Sequence, residues 1–459
     1  MAYDFQINQT SGKVSGLTKT VLYGEDINQT KVPEHTASWA KEPMIVFQSP
    51  DGKRFGLNAS LLSKHLLLLG GIGSGKTNCF NFIIEDVQNE MTDNDILIIF
   101  DTKGDFFRKF YQPGNPNHIV IGNGKQYANI SRYWDIFGEV LGEDGRFTEE
   151  SELVAKEIAK QLFKGKESST QPFFASAATD LVAKVMIDLG RRKDASKLTT
   201  EELVAFIKAA NVREYYDMTQ RHKDFKNAQL YFGNPDKALT AQALGVFGYI
   251  NEMVNDLFVG VFGKTKNTQP FSMRKLVREK GKKVVFIEYD LSMGEVLGPI
   301  YRILIDLALK EGLGRTSGGQ GNVYVMMDEG SLVPNSLHIA NALNFGRSLG
   351  IKVCMGWQSI NQVYDIYGEE KGKALLAGFM NSFCFQTWDY SSRKYISERF
   401  GDNYVNLSYR IDNQPVVLQK EGKVVEDYDI QSLGIGEAFV NLVGEVPFRF
   451  QFSDYELPH

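Results

Sequence analysis

At 459 residues the chain is long enough for one large core and a further lobe, since domains usually run about 100–200 residues. Its 43% hydrophobic and 23% charged residues exclude the fibrous and disordered classes. A formal net charge of −5 excludes a surface that coats nucleic acid throughout and leaves room for a local basic patch only.

Cys79, Cys354 and Cys384 are odd in number, far apart and set among apolar neighbours, which fits reduced core thiols in a cytosolic protein better than disulfides. The histidines form no ligand-like cluster, so metal chemistry beyond Mg2+ has no support. No run of about 18 apolar residues occurs, and residues 1–20 lack the order of a signal peptide, so no membrane span is expected.

Residues 1–60 mix short apolar pieces with turn signals such as Ser49-Pro50-Asp51-Gly52 and predict a small β-rich lead-in. An all-apolar strand at 66–69 then runs into a glycine-rich loop, a helix at 77–90 and a second strand at 96–100, which together make a βαβ unit. From 147 to 262 helical periodicity replaces the strand signal, with helices expected at 153–163, 174–189, 200–209 and 241–258. Strands resume at 284–289, 323–327, 351–355 and 383–387, and the segments 437–442 and 447–452 can pair at a sheet edge. The expected organisation is α/β: a lead-in over 1–60, a nucleotide-binding domain over 61–146 and 263–459, and an all-α domain inserted at 147–262.

The loop Gly70, Gly71, Ile72, Gly73, Ser74, Gly75, Lys76, Thr77 fits G-x-x-x-x-G-K-[ST] at every fixed position, between a predicted strand and a predicted helix. Its glycines let backbone N–H groups turn inward around phosphate oxygens at the positive end of the following helix, where Asn78 continues the loop. Lys76 is the candidate for the β- and γ-phosphates of ATP, and the Thr77 hydroxyl for Mg2+. Asp328 and Glu329 follow the apolar run 323–327 and so lie at the carboxyl edge of the sheet, Asp328 to hold the Mg2+ shell and Glu329 to polarise water.

Arg347 reads either as an arginine finger for a neighbouring subunit's site or as a solvated helix arginine, and Gln358, after the strand at 351–355, is an open candidate γ-phosphate sensor. Asp101, at the end of the second strand, belongs either to the Mg2+ and water network or to an ordinary turn. The basic set Arg191, Arg192, Lys193, Arg221, Lys223 and Lys226 reads as a solvated face rather than a nucleic-acid contact.

In order and content these motifs resemble the coupling ATPases of type IV secretion, the TraG/TraD-like conjugation proteins of the FtsK/HerA-related P-loop superfamily, over most of the chain. Asp101-Thr-Lys-Gly-Asp105 resembles the family's D-x-K-G-E, with Asp105 in place of Glu. Pro172-Phe-Phe-Ala-Ser-Ala-Ala-Thr-Asp-Leu181 resembles the start of its all-α domain, and Phe271-Ser-Met-Arg-Lys-Leu276 the return to the nucleotide domain. Asp328-Glu329, Arg347-Ser-Leu-Gly-Ile351 and Gln358-Ser-Ile-Asn-Gln-Val-Tyr-Asp-Ile-Tyr-Gly368 are similar to its Walker B, arginine-finger and Gln motifs.

The resemblance implies a RecA-like domain carrying an all-α domain and assembled as a ring hexamer. Such a ring drives DNA, a relaxase or another secreted protein towards membrane secretion machinery. Family members commonly carry amino-terminal transmembrane helices and this sequence shows none, so the expectation is a chain trimmed of its anchor, or one at the inner face of the membrane through a partner. Two alternative readings stand beside it: a soluble FtsK/HerA-like DNA translocase, and a slow nucleotide-gated scaffold for protein substrates. Stimulation of ATPase by DNA separates the motors from the scaffold.

Overall fold

The structure, a computed structural model, describes residues 14–27, 43–164, 172–194, 197–236, 238–264, 269–316, 320–333 and 335–456. The chain divides into two compact units, one of Met1–Glu90, Met326–Ser331 and Lys352–His459, the other of Met91–Val325 and Leu332–Ile351.

In the first unit the strand Leu66–Leu69 is central. It pairs in parallel with Ile351–Trp357 on one side and with Asn381–Phe385 on the other. Paired on both edges and covered on both faces, it has no solvent side, which is why it reads as four leucines in a row, all 0% exposed. Glu437–Asn441 joins Asn381–Phe385 antiparallel, and Phe448–Gln451 then closes the edge, the pairing expected from the two terminal segments.

The helix Lys76–Glu90 buries Cys79, Phe80, Ile83, Ile84 and Val87, and all three cysteines are buried free thiols. The lead-in hairpin Ile45–Gln48 with Arg54–Leu57 carries Phe47 and Phe55 into an aromatic cluster with Phe383, Phe450 and Phe452. Each fully buried phenylalanine contributes about 1.5–3 kcal/mol of burial, so the hairpin is anchored through the carboxyl-terminal strands.

A three-stranded sheet in the same unit was not anticipated. Val14–Tyr23 pairs antiparallel with Asp402–Ile411, which returns as Gln414–Lys423 through Asp412 and Asn413, both at positive φ. Two left-handed residues match the twist of the strands they join.

In the second unit Lys283–Glu288 is flanked in parallel by Ile96–Asp101 and by His118–Gly122, the latter absent from the sequence expectation. Within 147–262 the described residues form helices and no strand: Glu149–Leu162, Pro172–Arg192, Thr200–Ala209, Val212–Arg221 and Ala241–Leu257, with a 3-10 stretch at Lys223–Tyr231. Val212–Arg221 is the addition to the expected helices.

The short strands Tyr133–Trp134 and Pro270–Phe271, on either side of this helical run, pair in parallel. Buried Glu139 fastens the junction, accepting from Trp134 Nε1 at 3.1 Å, Ser272 Oγ at 2.8 Å, Met273 N at 2.7 Å and Arg274 N at 3.0 Å. Start and end of the helical run are therefore side by side. Among the described residues no helix is long and apolar enough to cross a membrane.

Candidate nucleotide site

The glycine-rich loop lies wholly in the first unit and is tethered from several strands. Gly70 N donates to Trp357 O at 3.1 Å, Gly71 N to Gln386 O at 2.8 Å, and Gly436 N to Ser74 O at 2.9 Å. Glycine is required at Gly75, whose φ is +110°, because a Cβ there would stand 2.7 Å from the Gly436 Cα. At Gly70 a Cβ would come within 2.6 Å of the Phe385 Cβ. Lys76, 7% exposed, donates from Nζ to Gly70 O at 2.6 Å and Gly71 O at 3.0 Å, which holds the ammonium inside the loop. The Ser74 Oγ is buried there with no hydrogen-bond partner.

At the start of the helix Lys76–Glu90, the Thr77 Oγ1 donates to Asp328 Oδ2 at 2.9 Å. Asp328 comes directly after Val323–Met327, and the neighbouring strand passes so close that a Cβ on Gly356 would lie 2.1 Å from the Asp328 carbonyl oxygen. Glu329 is held from two directions: Ser331 Oγ donates to its Oε1 at 2.5 Å, and Gln358 Nε2 donates to its Oε2. Thr77, Asp328, Glu329 and Gln358 thus converge beside Lys76. Asn78 has a structural task, donating from Nδ2 to Ser453 O at 2.9 Å and accepting at Oδ1 from Tyr455 N at 2.7 Å. Ile72 at the loop tip is exposed.

Thr77 and Asp328 offer the hard oxygen donors that suit Mg2+. Their 2.9 Å approach places both at one point, so the residues fit the ion that the loop motif implies.

Asp101 and Arg347 belong to the second unit. The Asp101 carboxylate, 2% exposed, accepts from Lys103 N and Asp105 N at Oδ1 and from Phe106 N and Phe107 N at Oδ2, which ties it to its own turn; burial pushes its pKa up. On the adjacent strand Glu288, equally buried, accepts from the Tyr127 hydroxyl, and burial beside Asp101 raises it to about 8. Arg347 sits exposed in the 3-10 turn Gly346–Leu349, where its carbonyl accepts from Gly350 N at 3.4 Å and its guanidinium makes no ion pair or hydrogen bond among the described residues.

The basic set of the helical run is largely consumed by carboxylates: Arg191 by Glu152 and Asp224, Arg192 and Arg221 by Asp188, Lys193 by Glu202. Sequence reasoning missed Ser331, Gln386, Gly436 and Glu288. The first supports Glu329 and the next two act through backbone groups, which carry no side-chain signal.

A strand–loop–helix phosphate cradle, with an Asp-Glu pair delivered to it from the end of a buried strand, defines a P-loop NTPase fold. The particular group follows from a profile described as the type IV secretion-system coupling protein DNA-binding domain, which matches residues 55–447. The chain belongs to this family.

Solved structures agree on the fold, which is α/β with a RecA-like core. The chain is similar to the bacterial conjugative coupling protein TrwBdeltaN70 in its unbound monoclinic form, with a TM-score of 0.73, 17% identity and 98% of each chain covered. TrwB in complex with ADP and Mg2+ matches with a TM-score of 0.71, 16% identity, and 99% of this chain and 98% of that chain covered. VirB4 of Thermoanaerobacter pseudethanolicus is more distant, with a TM-score of 0.53, 12% identity, and 94% and 99% covered. A search of curated proteins returned no match.

Proposed function

We propose that this chain is the ATP-hydrolysing motor of a type IV secretion coupling system, working as a ring oligomer that moves DNA or a protein–DNA substrate. The observation that carries the proposal is the convergence of Thr77, Asp328, Glu329 and Gln358 beside Lys76, the parts that phosphoryl transfer to water needs. Support comes from TrwB, solved in complex with the ATP analogue ADPNP, with the GTP analogue GDPNP, and with ADP and Mg2+. The family's description as a DNA-binding domain supports DNA as the partner.

In this reading the loop N–H groups hold phosphate oxygens, and Lys76 places its charge on the β- and γ-phosphoryl groups. Thr77 and Asp328 hold Mg2+, which when bound neutralises charge on the phosphates. Glu329, oriented by Gln358 and Ser331, polarises the attacking water. Arg347 serves a neighbouring subunit's site as a finger. Residues 61–146 and 263–459 form the nucleotide domain, 147–262 the inserted domain, and 1–60 the lead-in. A relaxase or other secreted protein is the cargo, and a partner holds the ring at the inner face of the membrane.

The test is ATP turnover with and without single- and double-stranded DNA, across protein concentrations that span assembly. Turnover should rise with both and vanish in Lys76→Ala. Wild-type turnover in that variant would remove the site assignment, and indifference to DNA would favour the scaffold reading.

A further inference from the structure

Within the first unit the sheet order is Phe448–Gln451, Glu437–Asn441, Asn381–Phe385, Leu66–Leu69, Ile351–Trp357. The phosphate loop leaves the fourth of these strands. Gln358 follows the fifth and touches Glu329, so the metal-holding and water-polarising groups all gather on that flank of the loop. A nucleoside triphosphate laid along the loop with its γ end there sends its nucleoside to the opposite flank, where Glu437–Asn441 begins.

The chain just before that strand is built against the loop. Gly436 N donates to Ser74 O at 2.9 Å, and the space between Gly75 and Gly436 admits no Cβ on the former. The turn is also braced from behind. Gly434 N donates to Glu437 Oε2 at 2.9 Å, Glu437 is paired with Arg449, and Gln451 Nε2 donates to Ile435 O at 3.0 Å.

With the backbone pinned on both sides of it, Ile435 nevertheless leaves its side chain 77% exposed. A lone exposed isoleucine needs no explanation. One fixed on a braced turn in backbone contact with a phosphate loop is a preformed apolar face.

We propose that the 434–436 turn is the nucleoside wall of the nucleotide site, with Ile435 as the face on which a purine base lies. The inference rests on the reading of residues 70–77 as a triphosphate site and adds where the rest of the ligand goes. Five backbone polar groups of the turn are already committed, the carbonyls of Gly434 and Gly436 accepting from Glu437 N at 3.1 Å and Phe452 N at 2.8 Å, so the wall selects by apolar contact with the base plane rather than by base-edge hydrogen bonds, and adenine and guanine fit it alike.

The experiment is calorimetric titration of the full chain, in Mg2+, with ATP, with GTP and with inorganic tripolyphosphate. Ile435→Ser should weaken ATP and GTP by a common factor on the order of ten, leave tripolyphosphate unchanged, and be rescued by Ile435→Leu. Equal loss of ATP and tripolyphosphate would make the turn a brace of the phosphate loop and overturn the proposal. So would unchanged ATP binding in Ile435→Ser, and weakened binding in Trp388→Ala would then move the base to Trp388, which is 68% exposed and follows the neighbouring strand. Wild-type chain that binds tripolyphosphate but gains nothing from the nucleoside overturns the wall alone, whereas failure to bind any of the three ligands overturns the triphosphate site itself.

Discussion

Thr77 Oγ1 and Asp328 Oδ2 lie 2.9 Å apart, joined across 251 positions of sequence. The hydroxyl opens the helix after the phosphate loop, and the carboxylate ends the apolar strand Val323–Met327, so helix start and strand end deliver two oxygen donors to one point. Asp328→Asn should keep the fold and raise the Mg2+ concentration needed for half-maximal turnover by about 10–100-fold. An Mg2+ titration of ATPase rate checks this, and an unshifted midpoint would leave the pair a purely structural bond.

Glu329 takes hydrogen bonds from Ser331 Oγ and Gln358 Nε2. Glu329→Gln keeps the shape but loses the carboxylate charge, so ATP binding should persist while turnover falls by about 10²–10⁴. Gln358→Ala frees the Glu329 side chain without removing it, and its loss of turnover should be smaller. Measuring Kd and kcat on both variants decides, and a Gln358→Ala defect confined to Kd would contradict the orienting role.

Arg347 is exposed on the Gly346–Leu349 turn. If it completes a neighbour's site, turnover per subunit should rise with protein concentration, and Arg347→Ala should lose about 10³–10⁵ in rate. Mixed Arg347→Ala and Lys76→Ala chains, each inactive alone, should recover activity where an intact loop meets an intact arginine. No recovery in mixtures that sedimentation shows to be joint oligomers would return Arg347 to a solvated role.

Glu288 has its pKa raised from 4.5 to about 8 by burial and by the nearby Asp101 carboxylate. A raised folded-state pKa means the native state holds a proton that the unfolded chain gives up first. The stability it contributes is complete below about pH 4.5 and is lost as pH rises through about 8. Relative to Glu288→Gln, the wild-type denaturant midpoint should therefore fall between pH 5 and pH 9. Parallel midpoints in the two proteins would show that Glu288 sheds its proton at its ordinary value.

The sequence by itself determined the parts whose chemistry is local. The loop 70–77 is readable because its glycines, lysine and threonine must occur at fixed spacing to wrap a phosphate. Asp328 and Glu329 are readable because a strand buried on both faces is an unbroken apolar run, and two acids at its end stand out. The helices of 147–262 announce themselves by period, and their basic residues find acids nearby.

Tertiary structure decided the rest. Asp402–Ile411 and Gln414–Lys423 are mostly solvated, so they lack a clean apolar alternation, and only pairing with Val14–Tyr23 reveals the three-stranded sheet. The Asp101 carboxylate takes four backbone N–H groups of its own turn, a set of bonds that depends on how the turn folds back rather than on residue type. The grip of Gln386 and Gly436 on the phosphate loop runs through backbone atoms that every residue has. Such contacts follow from strand order and register, which no residue type encodes, so they exist only once the chain has folded.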